Sequence, residues 1–298
     1  MTQHEITIRP LKTLDEMYAV ADLQKVHWGD DDESLVPAHM LYSLASYGGH
    51  VLGAFDGDKL VGALIGFLGT HDEEPERPAM ANLQIVSKRM VVDPEYRSQG
   101  IGYRLKLAQR DFARQQGVRL VTWTFDPLLA ANAHLNIRKL GGISLRYLKD
   151  YYGTSEHGNL ATLGSSDRLL VEWWITHRRI EERLTGTRGV LKLSAYLEAN
   201  TPILNPTTLG EDGFVRPGAR PNSLAGTLAL IEIPLNYPAI VKRDEALARQ
   251  WRTHSRQVFM NAFAEGFVVT DFLRETYEGR DRAFYMMSFN VGFDFRLN

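Results

Sequence analysis

The sequence predicts an α/β protein, a sheet flanked by helices, followed by a smaller β-α-β-β extension. Three observations carry that prediction. Short runs of strand-like alternation trade places with stretches of helical period through the first half of the chain. Between His50 and Leu68 two extended apolar runs flank Asp56-Gly57, a dipeptide suited to a tight hairpin turn. From Arg178 the texture changes to a charged helical stretch and then to Pro- and Gly-crowded sequence. At roughly 150 residues per domain, 298 residues allow two domains or one with a large extension. We draw the boundary at 177, giving a domain over 1–177 and an extension over 178–298.

Each element has a local reason. Ile6 to Leu11 alternates as a strand, and Thr13 with Glu16 forms a capping box that opens a helix to about His27. Pro37 restarts a second helix, ending near Gly48. The hairpin follows, then a charged loop from Thr70 to Pro78 and a long strand from Asn82 to Val92, stopped by Asp93-Pro94. Ile101, Leu105, Ala108 and Phe112 stand at helical spacing in a helix closed by Gly117. Val118 to Phe125 reads as a buried strand and Leu128 to Leu140 as a helix. Ile143 to Tyr152 and Arg168 to Ile175 are two further strands. Beyond 178, Asn200 to Ser223 reads as a long surface loop, before a strand (228–233), a helix (244–265) and a strand pair (267–273, 283–289).

Composition excludes several classes of function. Apolar residues make up 44% and charged residues 23%, enough to bury a sizeable core. Lys and Arg total 34 against 36 Asp and Glu, so no cation excess is present to neutralise a nucleic-acid backbone. Without cysteine there is no disulfide, no thiolate metal site and no Cys acyl-enzyme. The nine histidines never fall within five positions of one another, so no metal is expected. MTQHEITIRPLK carries no apolar signal core, and no window reaches the roughly 18 apolar residues of a membrane span. A soluble, cytoplasmic protein is expected, with no nucleic-acid or membrane partner and room for a homodimer.

The informative stretch is VVDPEYRSQGIGYRLK, residues 91–106: a strand, a turn, and Arg97-x-x-Gly100-x-Gly102 opening an amphipathic helix. The first turn of a helix has free N–H groups and the positive end of the dipole, and glycine lets a phosphate approach the backbone. This pattern resembles the signature of the Gcn5-related N-acetyltransferase (GNAT) superfamily. The order of strands and helices from about residue 5 to 177 is similar as well. The resemblance implies a mixed, mainly antiparallel sheet in which strands 82–92 and 118–125 run parallel and splay apart. It implies acetyl-CoA as co-substrate, with pantetheine paired to the backbone of Met90, Val91 and Val92. Diphosphate would lie on Arg97, Ser98, Gln99, Gly100, Ile101, Gly102 and Tyr103, with Asn132 and Asn136 as further pantetheine ligands. The activity implied is direct acetyl transfer to a primary amine of a small molecule or peptide, in a ternary complex.

One departure stands out. The family's usual acid is a tyrosine four residues before the glycine that ends the helix after the second splayed strand, and here that position is Ile137. Without it, the same resemblance also accommodates a CoA-binding module without turnover, or a sensor whose C-terminal part binds partners. Candidate proton carriers are Glu172, inside an apolar strand, Asp126, directly after the second splayed strand, and Tyr152, with Tyr147 and Tyr151 nearby. Each has a plainer reading: Glu172 pointing outward, Asp126 capping a turn, the tyrosines half-buried packing. The acidic runs Asp30 to Glu33 and Asp72 to Glu76 suit a cationic amine or are solvated loops. Arg249, Arg252 and Arg256 share one helix face, a basic stripe suited to the cofactor's 3'-phosphate or, on the plainer reading taken here, a solvated face. Trp173, Trp174 and Trp251 are read as marking where the two parts, or two subunits, pack.

Overall fold

A computed structural model describes residues 5–30, 34–70, 82–154, 161–163, 165–218, 223–224 and 226–289. Most of both acidic runs, 31–33 and 72–76, lies outside them. The chain divides into two compact units that meet inside one strand, the first ending at Trp123 and the second starting at Thr124.

The first unit follows the expected order. It contains β1 (Thr7–Pro10), α1 (Leu14–Trp28), α2 (Ala38–Ser46), β2 (His50–Asp56), β3 (Lys59–Thr70), β4 (Leu83–Val92), α3 (Ile101–Gln115) and the start of β5 (Leu120–Phe125). The capping box is present, with Glu16 N donating to Thr13 Oγ1 and Thr13 N to the Glu16 carboxylate. β1 to β4 form antiparallel neighbours, and β4 pairs with β5 in parallel. β3 is apolar on both faces because both are covered. Met17, Val20 and Leu41 from α1 and α2 pack with Val51, Ala63, Ile65 and Val91 on one side. Ile101 and Leu105 from α3 pack with Leu52, Ala54 and Leu64 on the other. Burying each such side chain contributes about 1.5–3 kcal/mol.

The buried face of α3 differs from the simple apolar spacing. It comprises Ile101, Leu105, Lys106, Gln109, Arg110 and Ala113, so the helix turns a polar row into the core and leaves Ala108 and Phe112 half-buried.

The second unit contains α4 (Ala130–Ala133), a π-helical segment (His134–Lys139), β6 (Ile143–Leu148), β7 (Arg168–Trp174), α5 (Arg178–Leu184) and α6 (Leu193–Glu198). It continues with β8 (Thr207–Leu209), β9 (Val215–Pro217), β10 (Leu228–Ile233), α7 (Tyr237–Arg243), α8 (Glu245–Ala264), β11 (Phe267–Tyr277) and β12 (Arg280–Phe289). Its strands follow the order β7-β6-β11-β12-β10, antiparallel throughout. The predicted β-α-β-β extension is thus β10, α8, β11 and β12. Ser144 of β6 pairs with Val269 of β11, which gives β6 a strand neighbour from beyond residue 177.

Three further expectations change. The stretch 200–223 includes a small hairpin, β8 with β9, and buries Leu204 and Asn205, whose side-chain amide bonds the backbone of Glu232 in both directions. The tryptophans serve inside this unit: Trp173 Nε1 donates to Leu140 O and Trp251 Nε1 to Val215 O. The arginines of α8 are not a solvated face either. Arg252 is 5% exposed and grips Asp126 with two bonds of 2.8 and 2.6 Å, while Arg256 reaches Asp150 and Asp167. Each takes a carboxylate out of water and must stay to match it.

Removing one member of the Asp126–Arg252 pair strands a buried charge, so Arg252→Met is expected to lower urea-unfolding stability by about 3–5 kcal/mol. Asp126→Asn/Arg252→Met, which leaves no ion behind, recovers most of that loss. A double variant no more stable than the single one contradicts the assignment.

Candidate functional site

The site in the first unit is built by β4, which is treated differently along its two edges. Toward β3 it is laddered throughout, from Thr70↔Leu83 to Gly62↔Val92. Toward β5 the parallel register consists of Ile85↔Val121 and Val86↔Thr122. Immediately afterwards the β3 ladder slips: Gly66 faces Ser87 and Ile65 faces Arg89, so Lys88 is the extra residue of a bulge. A bulge bends its strand and increases its twist, which accounts for the parting of β4 from β5 at this point. Met90, Val91 and Val92 lie beyond it, their side chains packing on both faces.

Past Val92 the chain turns through a short 3₁₀ segment, Pro94–Tyr96, capped by Asp93, and enters the loop 97–100. Ser98 and Gly100 hold left-handed φ of 63° and 80°. Gly100 is the N-cap of α3, and no side chain caps that end. A methyl group at Gly100 would touch nothing within 4 Å, so the glycine is required by its φ and leaves open space above the helix end. Arg97 to Gly100 are exposed. The helix start thus combines an end without a side-chain cap, the positive end of the dipole and a nearby cation, features that favour an anion.

Arg97 is already engaged. Its Nη2 lies 2.6 Å from His27 Nδ1, and its Nε donates to Val92 O at 3.4 Å. Burial, then the charges of Arg97 and Arg89, hold His27 below the usual histidine range, which keeps it neutral and able to accept. Arg89 in turn lies over the Trp28 ring and donates to Ser34 O, fixing the α1–α2 connection on β4. Neither His27 nor Arg89 stands out in the sequence, because no spacing ties α1 to the loop after β4.

Behind the parting of β4 and β5 lies a buried polar row. Lys106 Nζ donates to Ser87 Oγ at 2.8 Å and to Gln109 Oε1 at 3.2 Å, and sits 3.5 Å from the centroid of the Trp123 ring. Gln109 Nε2 is 2.8 Å from His50 Nε2. Gly66 makes room: a methyl there would meet the His50 ring at 2.5 Å. Burial drives the Lys106 ammonium well below the ordinary lysine range. Burial and then the Lys106 charge lower His50 to about 4.

The residues singled out in the second unit lie as follows. Asp126 is held by Arg252 and caps the turn at Leu128 N, 2.9 Å away. Glu172 is half-buried and accepts from Trp174 Nε1 at 3.0 Å. Tyr152 is half-buried, with the Arg168 guanidinium 5.2 Å from its ring centroid. Tyr147 donates to Asp167 at 2.6 Å, and burial followed by that carboxylate pushes its pKa up. Asn132 is exposed and Asn136 buried, although they stand four residues apart. The change from α to π winding at His134 alters the turn between them. Ile137 is fully buried, so no hydroxyl occupies the place of the family's tyrosine. A cavity of about 280 Å³ is lined by Asp150, Thr162, Ser165, Arg249, Arg252 and Arg256. Among the described residues no three His, Asp or Glu side chains gather as a metal site, and no helix is long and apolar enough to cross a membrane.

Residues 14–141 match the model of the acetyltransferase (GNAT) family. They form a GNAT acetyltransferase domain. The chain carrying it is an acetyl-CoA-dependent acetyltransferase of mixed α/β architecture. No curated protein sequence matches it. Solved structures similar to this chain include the ribosomal-protein-S18-alanine N-acetyltransferase of Escherichia coli, 17% identical, covering 58% of this chain and 96% of that one at TM-score 0.44. NAA60 of Arabidopsis thaliana, in complex with a bisubstrate analogue, is 15% identical over 57% and 98% of the two chains at TM-score 0.46. An aminoglycoside acetyltransferase from an uncultured soil metagenomic sample, in complex with sisomicin, is 20% identical over 41% and 78% at TM-score 0.34.

The low pKa of His50 gives a definite pH dependence. Its folded value, about 4, lies below the ordinary 6.5, so the unfolded chain binds the proton first as pH falls. The stability it contributes is complete above 6.5 and is lost as pH drops toward 4, at most about 3 kcal/mol. Urea midpoints of native and His50→Gln protein should converge or cross as pH falls from 7 to 4. A pH-independent difference overturns the assignment.

Proposed function

We propose that this acetyltransferase transfers the acetyl group of acetyl-CoA directly to a primary amine, both substrates being bound together. The observation that carries the reading is the uncapped, glycine-opened N-terminus of α3, directly after a strand that has left its parallel neighbour. In this reading the diphosphate accepts from the backbone of Gly100, Ile101, Gly102 and Tyr103, with Ser98 and Gln99 shaping the loop. Arg97 swings from His27 to the phosphates. The pantetheine amides pair with Met90, Val91 and Val92 as an added strand, and Asn132 and Asn136 serve the same arm.

The absence of cysteine supports direct attack, since no thiol is present to carry the acetyl group. An ammonium cannot attack, so the acceptor must shed a proton before or as it reacts. Glu172 and Tyr152 are the candidates for moving protons at the acceptor. Asp126 is the weaker third, because its carboxylate is committed to Arg252. The family domain occupies 1–177 in this reading, and 178–298 adds strands to it. The acceptor is a small-molecule or peptide amine, with the acidic runs near 30–33 and 72–76 drawing a cation, and the protein acts in the cytoplasm.

Calorimetry with acetyl-CoA tests the reading. Arg97→Glu is expected to weaken binding more than tenfold, about 1.4 kcal/mol, because the reversed charge repels the diphosphate. Equal affinity of the two proteins removes the site. Release of free thiol that depends on an added primary amine establishes transfer over simple binding.

A further inference from the structure

We propose that Lys106, held by Ser87 and Gln109 beneath the Trp123 ring where β4 and β5 part, is the proton donor to the departing CoA sulfur. The inference rests on the reading above, in which pantetheine enters between those two strands.

Three observations lead to it. The first is place. Val86↔Thr122 is the last pair of the parallel register, and the residues that follow on each strand, Ser87 and Trp123, are the two that Lys106 touches from α3. Its ammonium therefore stands at the closed end of the gap. The second is charge. Lys106 is 2% exposed, yet its contacts among the described residues are a hydroxyl, an amide oxygen and a ring face, with no carboxylate among them. An ionised group buried without an opposite charge is costly, and an apolar residue of the same length would stabilise the core more. Such a group is retained where negative charge appears, and the carbon–sulfur bond that breaks in acyl transfer delivers a thiolate. The third is vacancy. Ile137 fills the place of the family's tyrosine with an apolar side chain, so the donor must come from another element.

The groups facing Lys106 favour that role. Among the described residues β4 supplies Ser87, β5 Trp123 and α3 Gln109; β2 supplies His50, joined through Gln109 and neutral at ordinary pH, beside Gly66 of β3. Burial weakens the hold of the ammonium on its proton, which eases its transfer to sulfur. In the step, the amine nitrogen bonds to the carbonyl carbon and the carbon–sulfur bond breaks. The bonding pair leaves on sulfur, which takes a proton from Nζ. The attacking nitrogen gives up its surplus proton to solvent, and neutral Lys106 regains one from solvent. Amine and thioester become amide and thiol with atoms and charge balanced.

The test needs no acceptor. CoA is bound to native protein, Lys106→Met and Lys106→Arg, and the bound thiol is titrated by its thiolate ultraviolet absorbance. A cation beside sulfur favours the thiolate, so the bound thiol of the native complex is expected to titrate about one unit below that of Lys106→Met, a tenfold change in the thiolate ratio. Lys106→Arg keeps the lowered value. Lys106→Met is expected to melt at the same or a higher temperature than native protein, so loss of folding does not explain its result. Ser87→Ala, which frees the amine without removing it, gives an intermediate shift. If CoA binds native and Met proteins alike and its thiol titrates equally in both, the role of Lys106 is overturned while the acyltransferase reading stands. If native protein fails to bind CoA, both fall.

Discussion

Everything at the candidate site depends on β4 being laddered along one edge and released along the other. Its bonds to β3 hold the strand rigid through Val92, and the bulge at Lys88 turns it from β5 after two parallel pairs. Rigidity on one side is what lets the other edge remain open without the strand fraying. The same geometry delivers the chain at Val92 to the 3₁₀ turn and the N-terminus of α3, so the released edge and the uncapped helix end that the proposed function relies on arise from one strand and its exit.

Much of this was legible in sequence because it rests on local rules. The capping box at Thr13 and Glu16, the Asp56-Gly57 hairpin and the Arg97-x-x-Gly100-x-Gly102 loop each fall within a few residues, and each forms as read. The C-terminal β10, α8, β11 and β12 were equally plain from period alone. Position 137 could also be read directly: isoleucine there is an absence visible in the letters.

What stayed hidden depends on contacts between distant segments. Arg252 lies on an α8 face that, taken alone, looks like a solvated stripe; its partner Asp126 is 126 residues away. The hairpin within 200–223 has few apolar residues because its anchors are a buried amide, Asn205, and the Trp251 indole bonded to Val215. Asn132 is exposed and Asn136 buried, and the π winding from His134 that lies between them is signalled by no propensity rule. Lys106 was missed for a similar reason. A lysine beside Leu105 on an amphipathic helix reads as the edge of the polar face until Gly66, Ser87 and Trp123 are seen to open a place for it.

The contrast among buried cations separates structure from chemistry. In the second unit Arg252 is matched by Asp126, Arg282 by Glu232, and Arg183 with Arg138 by Asp271, each at 2.6–2.9 Å. Those pairs close their own electrostatics and ask nothing of a ligand, so their effects belong to stability and uniqueness of packing. Lys106 is bonded with equal care, yet its partners among the described residues are neutral. An ion whose field is left open inside a core is preorganised for a charge that arrives later, and in acyl transfer that charge appears on sulfur as the thioester gives way. The arrangement explains how a chain with isoleucine at 137 retains a source of protons: the donor has moved from the helix after β5 to the helix before it.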